Sequence, residues 1–120
     1  MSEIVLVAEG VYAKARDMFD AAGDLNVRPV PAEPGDLARA VRETASRAAI
    51  VGTTPYPDEA LYAALAEAAT GRPALLARFG VGHDNIDKNL CGAHNVVVTN
   101  TPGVLATSVA EHTLWMIGGL

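Results

Sequence analysis

Two short stretches carry residue types able to hold a small anion. The first is Arg78-Phe79-Gly80-Val81-Gly82-His83-Asp84-Asn85. Its two glycines let backbone N–H groups approach a negative charge closely, in a nest just ahead of a predicted helix. The same glycines also suit a tight strand-to-helix turn that binds nothing, and spacing leaves both readings open. Gly80-Val81-Gly82 begins like a dinucleotide fingerprint, but position 85 is Asn85 where the third glycine belongs, so that reading is rejected. The second stretch is Gly52-Thr53-Thr54-Pro55. Its hydroxyls suit a ligand, or Thr54 or a neighbour caps the helix that follows.

Other chemistries find little support. Glu9-Gly10-Val11, after the first strand, is too poor in Gly, Ser and Thr to cradle a flavin phosphate. Gly52 stands where a phospho-receiver would need an aspartate. His83, His94 and His112 lie far apart, with no carboxylate or histidine at metal-site spacing, and read as surface or capping residues. Cys91 shares a predicted helix face with Ile86 and Leu90 and reads as a buried, inert thiol. As the only cysteine, it excludes an intrachain disulfide.

The elements that would position these loops follow from periodicity. Glu3–Ala8 reads as a strand, continuously apolar from Ile4 to Val7, and Gly10 breaks it. Tyr12–Ala22 reads as a helix stopped by Gly23. Leu25–Val30 is a second strand, placed at a sheet edge by Pro29 and Pro31. A helix over Pro34–Ala45 and a strand over Ala48–Gly52 follow. Pro57 at the first helical position opens the next helix, which Gly71 ends. Ala74–Phe79 is a strand, Asn85–Ala93 a short helix, Val96–Thr99 a strand and Thr107–Leu120 a final helix. Strand–helix alternation predicts an α/β fold: a flavodoxin-like parallel five-stranded sheet, order 2-1-3-4-5, with helices on both faces.

Composition agrees. Half of the 120 residues are apolar and 19% are charged, as in a globular domain. The net charge is −5 and the nine Lys and Arg are scattered, which argues against a nucleic-acid surface. No apolar run approaches the roughly 20 residues of a membrane span. Met1-Ser2-Glu3 lacks the basic start of a signal peptide, so a cytoplasmic location is expected. From Asn89 to Leu120 the only formal charge is Glu111. The last helix lacks a stop signal, and its wide apolar face, with Leu114, Trp115 and Ile117, reads as a contact seam.

Three motifs occur in order over residues 78–112: Arg78-Phe79-Gly80-Val81-Gly82-His83-Asp84-Asn85-Ile86-Asp87, Val96-Val97-Val98-Thr99-Asn100-Thr101-Pro102-Gly103 and Ser108-Val109-Ala110-Glu111-His112. Together they resemble the D-isomer-specific 2-hydroxyacid dehydrogenases, which include phosphoglycerate, glyoxylate/hydroxypyruvate, D-lactate and formate dehydrogenases. Residues 1–70 fit that family's alternation but carry no comparable motif.

The resemblance implies two α/β domains with the active site in the cleft between them. Residues 1–104 would form an incomplete substrate (catalytic) domain, and residues 105–120 a connecting helix toward an NAD-binding domain absent from this sequence. The intact enzyme would use NAD or NADP to move a hydride to or from a small 2-hydroxy/2-oxo acid. The family's catalytic Arg, Glu and acid/base His lie in the absent part, and none of the three histidines here matches that His. No cofactor is expected on this chain alone, which should be inactive. By the same resemblance, Val81 and Gly82 offer N–H groups to the substrate carboxylate, Thr53 faces the substrate, and Leu105 faces substrate and nicotinamide. Ala106 and Val109 would lie against the nicotinamide end of the cofactor. Leu105 stands where formate dehydrogenases carry Asn, and Gly52 where phosphoglycerate dehydrogenases carry Arg. Both departures leave an uncharged or small acid as the expected substrate. A homodimer through residues 108–120 is expected. The alternative is a stand-alone, non-catalytic carboxylate-binding or dimerisation module.

Overall fold

Val5, Leu6 and Val7 are consecutive and have no solvent exposure. A strand buries neighbouring side chains this way only when both faces of its sheet are covered. The computed structural model describes residues 3–21, 25–79 and 85–100. They form β1 (Glu3–Ala8), α1 (Glu9–Lys14), α2 (Arg16–Asp20), β2 (Leu25–Val30), α3 (Pro34–Thr44), β3 (Ala48–Val51), α4 (Glu59–Ala69), β4 (Ala74–Arg78), α5 (Lys88–Ala93) and β5 (Val96–Asn100). All pairings are parallel and the order is β2-β1-β3-β4-β5, as the alternation predicted. Pro29 lies in β2, at the sheet edge, where its missing N–H costs no ladder bond.

The two faces carry separate cores. On one, Leu6, Ala49, Val51 and Leu76 pack against Leu37 and Val41 of α3 and Leu61, Tyr62 and Leu65 of α4, with Ile86 and Cys91 beside them. On the other, Val5, Val7, Ile50, Leu75 and Ala77 pack under Val11, Ala15 and Phe19. Position alternation along each strand thus sorts side chains into two layers, and helices lie on both faces.

Three helix starts differ from the sequence expectation. Residues 12–22 are not one helix: α1 begins directly at Glu9, includes Gly10, and gives way to α2 at Ala15, whose backbone (φ −142°, ψ 40°) is not helical. Val11, Ala15 and Phe19 are all buried and lie four apart. A regular helix drifts about 40° per four-residue step, so the break lets Val11 and Phe19 both reach the sheet. The second difference is α4, which starts at Glu59 behind an extended Asp58, with Pro57 outside the helix. The third is α5, which starts at Lys88 rather than Asn85. One interaction explains both: Tyr56 and Ile86 form an isolated parallel bridge, holding each segment extended before its helix begins. Asp87 then caps α5, accepting from the N–H groups of Asn89 and Leu90 at 3.0 and 3.1 Å. At the other end of α4, Thr70 and Gly71 take positive φ (51° and 87°), and the turn that Gly71 permits ends the helix as expected.

Cys91 is buried in the α3–α4 core. Burial, and then the nearby Asp87 charge, push its thiol from 9.0 up to about 11. The folded chain keeps a proton that the unfolded chain sheds. This contribution to stability is complete below pH 9 and is lost as pH climbs toward 11. Melting temperatures across that window should fall less steeply in Cys91→Ala than in the unsubstituted chain; equal slopes would remove Cys91 from the alkaline response. The predicted final helix, the boundary at residue 104 and the seam of Leu114, Trp115 and Ile117 lie outside the described residues. Among the described residues no helix is long and apolar enough to cross a membrane.

Candidate functional site

Five parallel strands end at one edge of the sheet, so the segments that follow them converge there. Open α/β sheets bind ligands at that edge. A cavity of about 160 Å³ opens where β1, β3 and β4 end. Its wall includes Gly10 and Lys14 from α1, Gly52, Thr53 and Thr54 after β3, and Arg78 at the end of β4.

Thr53 is exposed and lines this cavity, as expected of a residue facing a ligand. Thr54 lines it too. Neither caps α4: the N-cap is Asp58, and no side chain closes that end. Of the remaining expected contacts, Val81, Gly82, Leu105, Ala106 and Val109 lie outside the described residues.

Asn85 holds the loop on the cavity wall, a role that the sequence reading missed. Its side-chain amide donates to the carbonyls of Gly52 and Thr54, both at 2.9 Å. Its own carbonyl accepts from Tyr56 N–H at 2.8 Å. The loop after β3 is therefore laced to the segment that follows β4. Position 85 entered the sequence reading only as a failed third glycine. The usable signal was an amide within a glycine motif, a residue type able to satisfy two loop carbonyls at once.

Two buried tyrosines anchor this lacing. Tyr56 O–H donates to Ala32 carbonyl at 2.7 Å, tying in the segment after β2. Tyr62 O–H donates to Tyr56 carbonyl at 2.6 Å and accepts from Asp87 N–H at 2.9 Å. Burial pushes the Tyr56 hydroxyl up to about 12, so it remains a donor near neutral pH. His94 ends α5 and lies 3.0 Å from a Glu59 carboxylate oxygen, a capping and pairing role away from the cavity.

The described residues offer no cradle for a dinucleotide. A pyrophosphate needs open backbone and a positive helix end after the first strand. Here α1 follows β1 without a loop and places Glu9 in its first turn. Val11, buried beneath it, leaves so little space that a Cβ at Gly52 would lie 3.3 Å from Val11 Cγ2.

The sequence matches the family model described as D-isomer specific 2-hydroxyacid dehydrogenase, catalytic domain, over residues 5–115. Among curated proteins it is 46% identical over 46 residues to a D-3-phosphoglycerate dehydrogenase of Bacillus subtilis, covering 38% of this chain and 9% of that protein. It is 28% identical over 116 residues to the chloroplastic D-3-phosphoglycerate dehydrogenase 2 of Arabidopsis thaliana, covering 97% of this chain and 18% of that protein. Among solved structures, the fold resembles the pyruvate reductase of Chlamydomonas reinhardtii (TM-score 0.65, 22% identity, 98% of this chain and 34% of that one). It also resembles an NAD⁺-bound 3-phosphoglycerate dehydrogenase of Entamoeba histolytica (TM-score 0.59, 24% identity, 85% of this chain and 33% of that one). The sequence thus spans about a third or less of each of these proteins.

Proposed function

Because this chain belongs to the D-isomer specific 2-hydroxyacid dehydrogenases, we propose that it forms the substrate-holding part of an NAD- or NADP-dependent oxidoreductase. The intact enzyme moves a hydride between the nicotinamide and C2 of a small 2-hydroxy or 2-oxo acid. One observation carries the reading: the cavity where β1, β3 and β4 end, with Thr53 and Thr54 on its wall.

In this reading the backbone N–H groups of Val81 and Gly82 hold the substrate carboxylate, while Thr53 orients the rest of the molecule. Fixing the carboxylate fixes where C2 lies, which is a positioning contribution to rate. Leu105, Ala106 and Val109 lie toward the nicotinamide. When bound, the cofactor supplies the hydride, and in this reading the part that cradles its pyrophosphate comes from the remainder of the enzyme. The acid/base and carbonyl-polarising groups lie outside this sequence as well.

The 120-residue chain alone should therefore bind carboxylates without turnover. With NADH or NADPH and glyoxylate or hydroxypyruvate, the purified chain should oxidise no cofactor, and joined to a cofactor-binding domain of the same family it should. Steady oxidation by the isolated chain would overturn this division of labour. Carboxylate binding with no turnover even in the joined protein would leave the alternative, a non-catalytic carboxylate-binding module.

A further inference from the structure

α3 and α4 pack side by side on one face of the sheet. Each returns the chain to start another parallel strand, so the two helices run in the same direction. A hollow of about 230 Å³ opens between their C-terminal halves. Val41, Arg42 and Ala45 wall it on one side, and Ala64, Glu67 and Ala68 on the other.

The outer surfaces of the two helices differ. α3 exposes Arg39, Arg42 and Glu43. α4 is apolar nearly all round: nine of its eleven residues are Ala, Leu or Tyr, and Ala60, Ala63, Ala66 and Ala68 remain exposed or half-buried. A helix without a polar outer face is normally covered on both sides. The two charges of α4 are Glu59, which faces His94, and Glu67. Glu67 is the anomaly. It lies in a last turn that carries no basic residue, so its carboxylate meets the negative end of its own helix. Arg42 holds the matching position in α3, since each is the ninth residue of an eleven-residue helix. Both wall the hollow, yet among the described residues neither has an ion pair, with the other or with any third group.

A face with an unpaired cation on one helix and an unpaired anion on its neighbour is complementary to itself. A two-fold axis running between the helices and parallel to them lays α3 of one copy over α4 of the other. We propose that the α3–α4 face binds a second copy of this chain in this way, Arg42 of each copy pairing with Glu67 of the other. Ala45, Ala64 and Ala68 keep the surface low enough for the helices to approach, and the Arg42 and Glu67 side chains of both copies fill the hollow. Each guanidinium also supplies the cation that the end of the facing α4 lacks. The interface uses none of residues 108–120.

Sedimentation velocity of the 120-residue chain, from micromolar to about 500 µM, tests this. A dimer should form and should weaken with added salt. Arg42→Glu and Glu67→Arg each bring like charges together twice in a dimer, and each should raise the dissociation constant about tenfold or more. The two substitutions change the net charge in opposite directions, so a shared loss cannot come from overall repulsion. Glu67→Arg also places a cation at the negative end of α4, so the melting temperature of its monomer should not fall. That separates loss of the interface from loss of the fold. An equimolar mixture of the two single variants restores opposite charges at both contacts and should dimerise like the unsubstituted chain, as should the double variant. Glu43→Arg, exposed on α3 but not on the wall of the hollow, should change the constant by less than about twofold. A chain that stays monomeric at about 500 µM would overturn the proposal. So would a dimer indifferent to both reversals, which another surface must hold, or a loss that the mixture does not recover.

Discussion

Asn85→Ala should weaken carboxylate binding about 10- to 100-fold, the scale on which small misplacements act at positioned sites. The variant removes two donors and leaves the carbonyls of Gly52 and Thr54 without them. Loss of two part-buried hydrogen bonds should also cost about 2–3 kcal/mol of stability. The loop after β3 would keep its tie through Tyr56 N–H, so it should shift rather than unfold. Thr53 would move with it. Asn85→Asp should be worse near neutral pH, because a carboxylate facing two carbonyl oxygens has no hydrogen to offer. It should recover in part at acid pH, where a protonated Asp donates once. Calorimetric affinity and melting temperature read both effects. A lowered melting temperature with unchanged affinity would make Asn85 purely structural.

Tyr62→Ala should destabilise the chain by about 3–5 kcal/mol, the range for truncating a buried aromatic. Tyr62 has no solvent exposure and packs within the α3–α4 core. The truncation opens a cavity there and removes the hydroxyl that joins Tyr56 carbonyl to Asp87 N–H. Domain stabilities run at about 0.05–0.15 kcal/mol per residue, so this one change removes a large share of the total. Tyr62→Phe keeps the ring and should cost about 1–3 kcal/mol, the penalty for unpaired buried polar groups. Urea denaturation with two-state fitting measures both. A Phe variant as damaging as Ala would mean the hydroxyl, and not the ring, holds the site together.

The fold was largely legible in the sequence, because each strand is a run whose burial on both faces leaves a continuous apolar signature. Ala48–Val51 and Ala74–Arg78 were found to within one residue. Pro29 correctly marked β2 as an edge. Helix starts were less legible, since they are set by distant contacts. No local pattern reveals that Tyr56 pairs with Ile86, 30 residues further along the chain, and this bridge delays both α4 and α5. The break at Ala15 is likewise imposed by the sheet beneath it, because the apolar spacing of residues 12–22 suits an unbroken helix. Thr53 was legible as a polar loop residue after a strand, which is why its place on the cavity wall was readable in advance. Asn85 was missed because its acceptors lie 33 and 31 residues earlier. Lys14 reads in sequence as an ordinary surface cation, and only the termination of α1 places it at the cavity wall.

The strand order also bears on how the chain can be made. β2 and β3 flank β1, and β4 and β5 then add in turn beyond β3. No later strand has to be inserted between two that are already paired. A polypeptide leaving the ribosome can therefore build its sheet in the order of synthesis, with the first three strands complete at Val51. β3 joins the free edge of β1, and β4 and β5 each join the edge that the strand before them has just presented. Parallel pairing is slow because its loops must close before any ladder forms. Here vectorial emergence removes competing downstream partners while the central trio assembles. The cavity comes last, since Arg78 and Asn85 follow that trio by more than 25 residues, so nascent chains acquire a framework before they acquire a binding site.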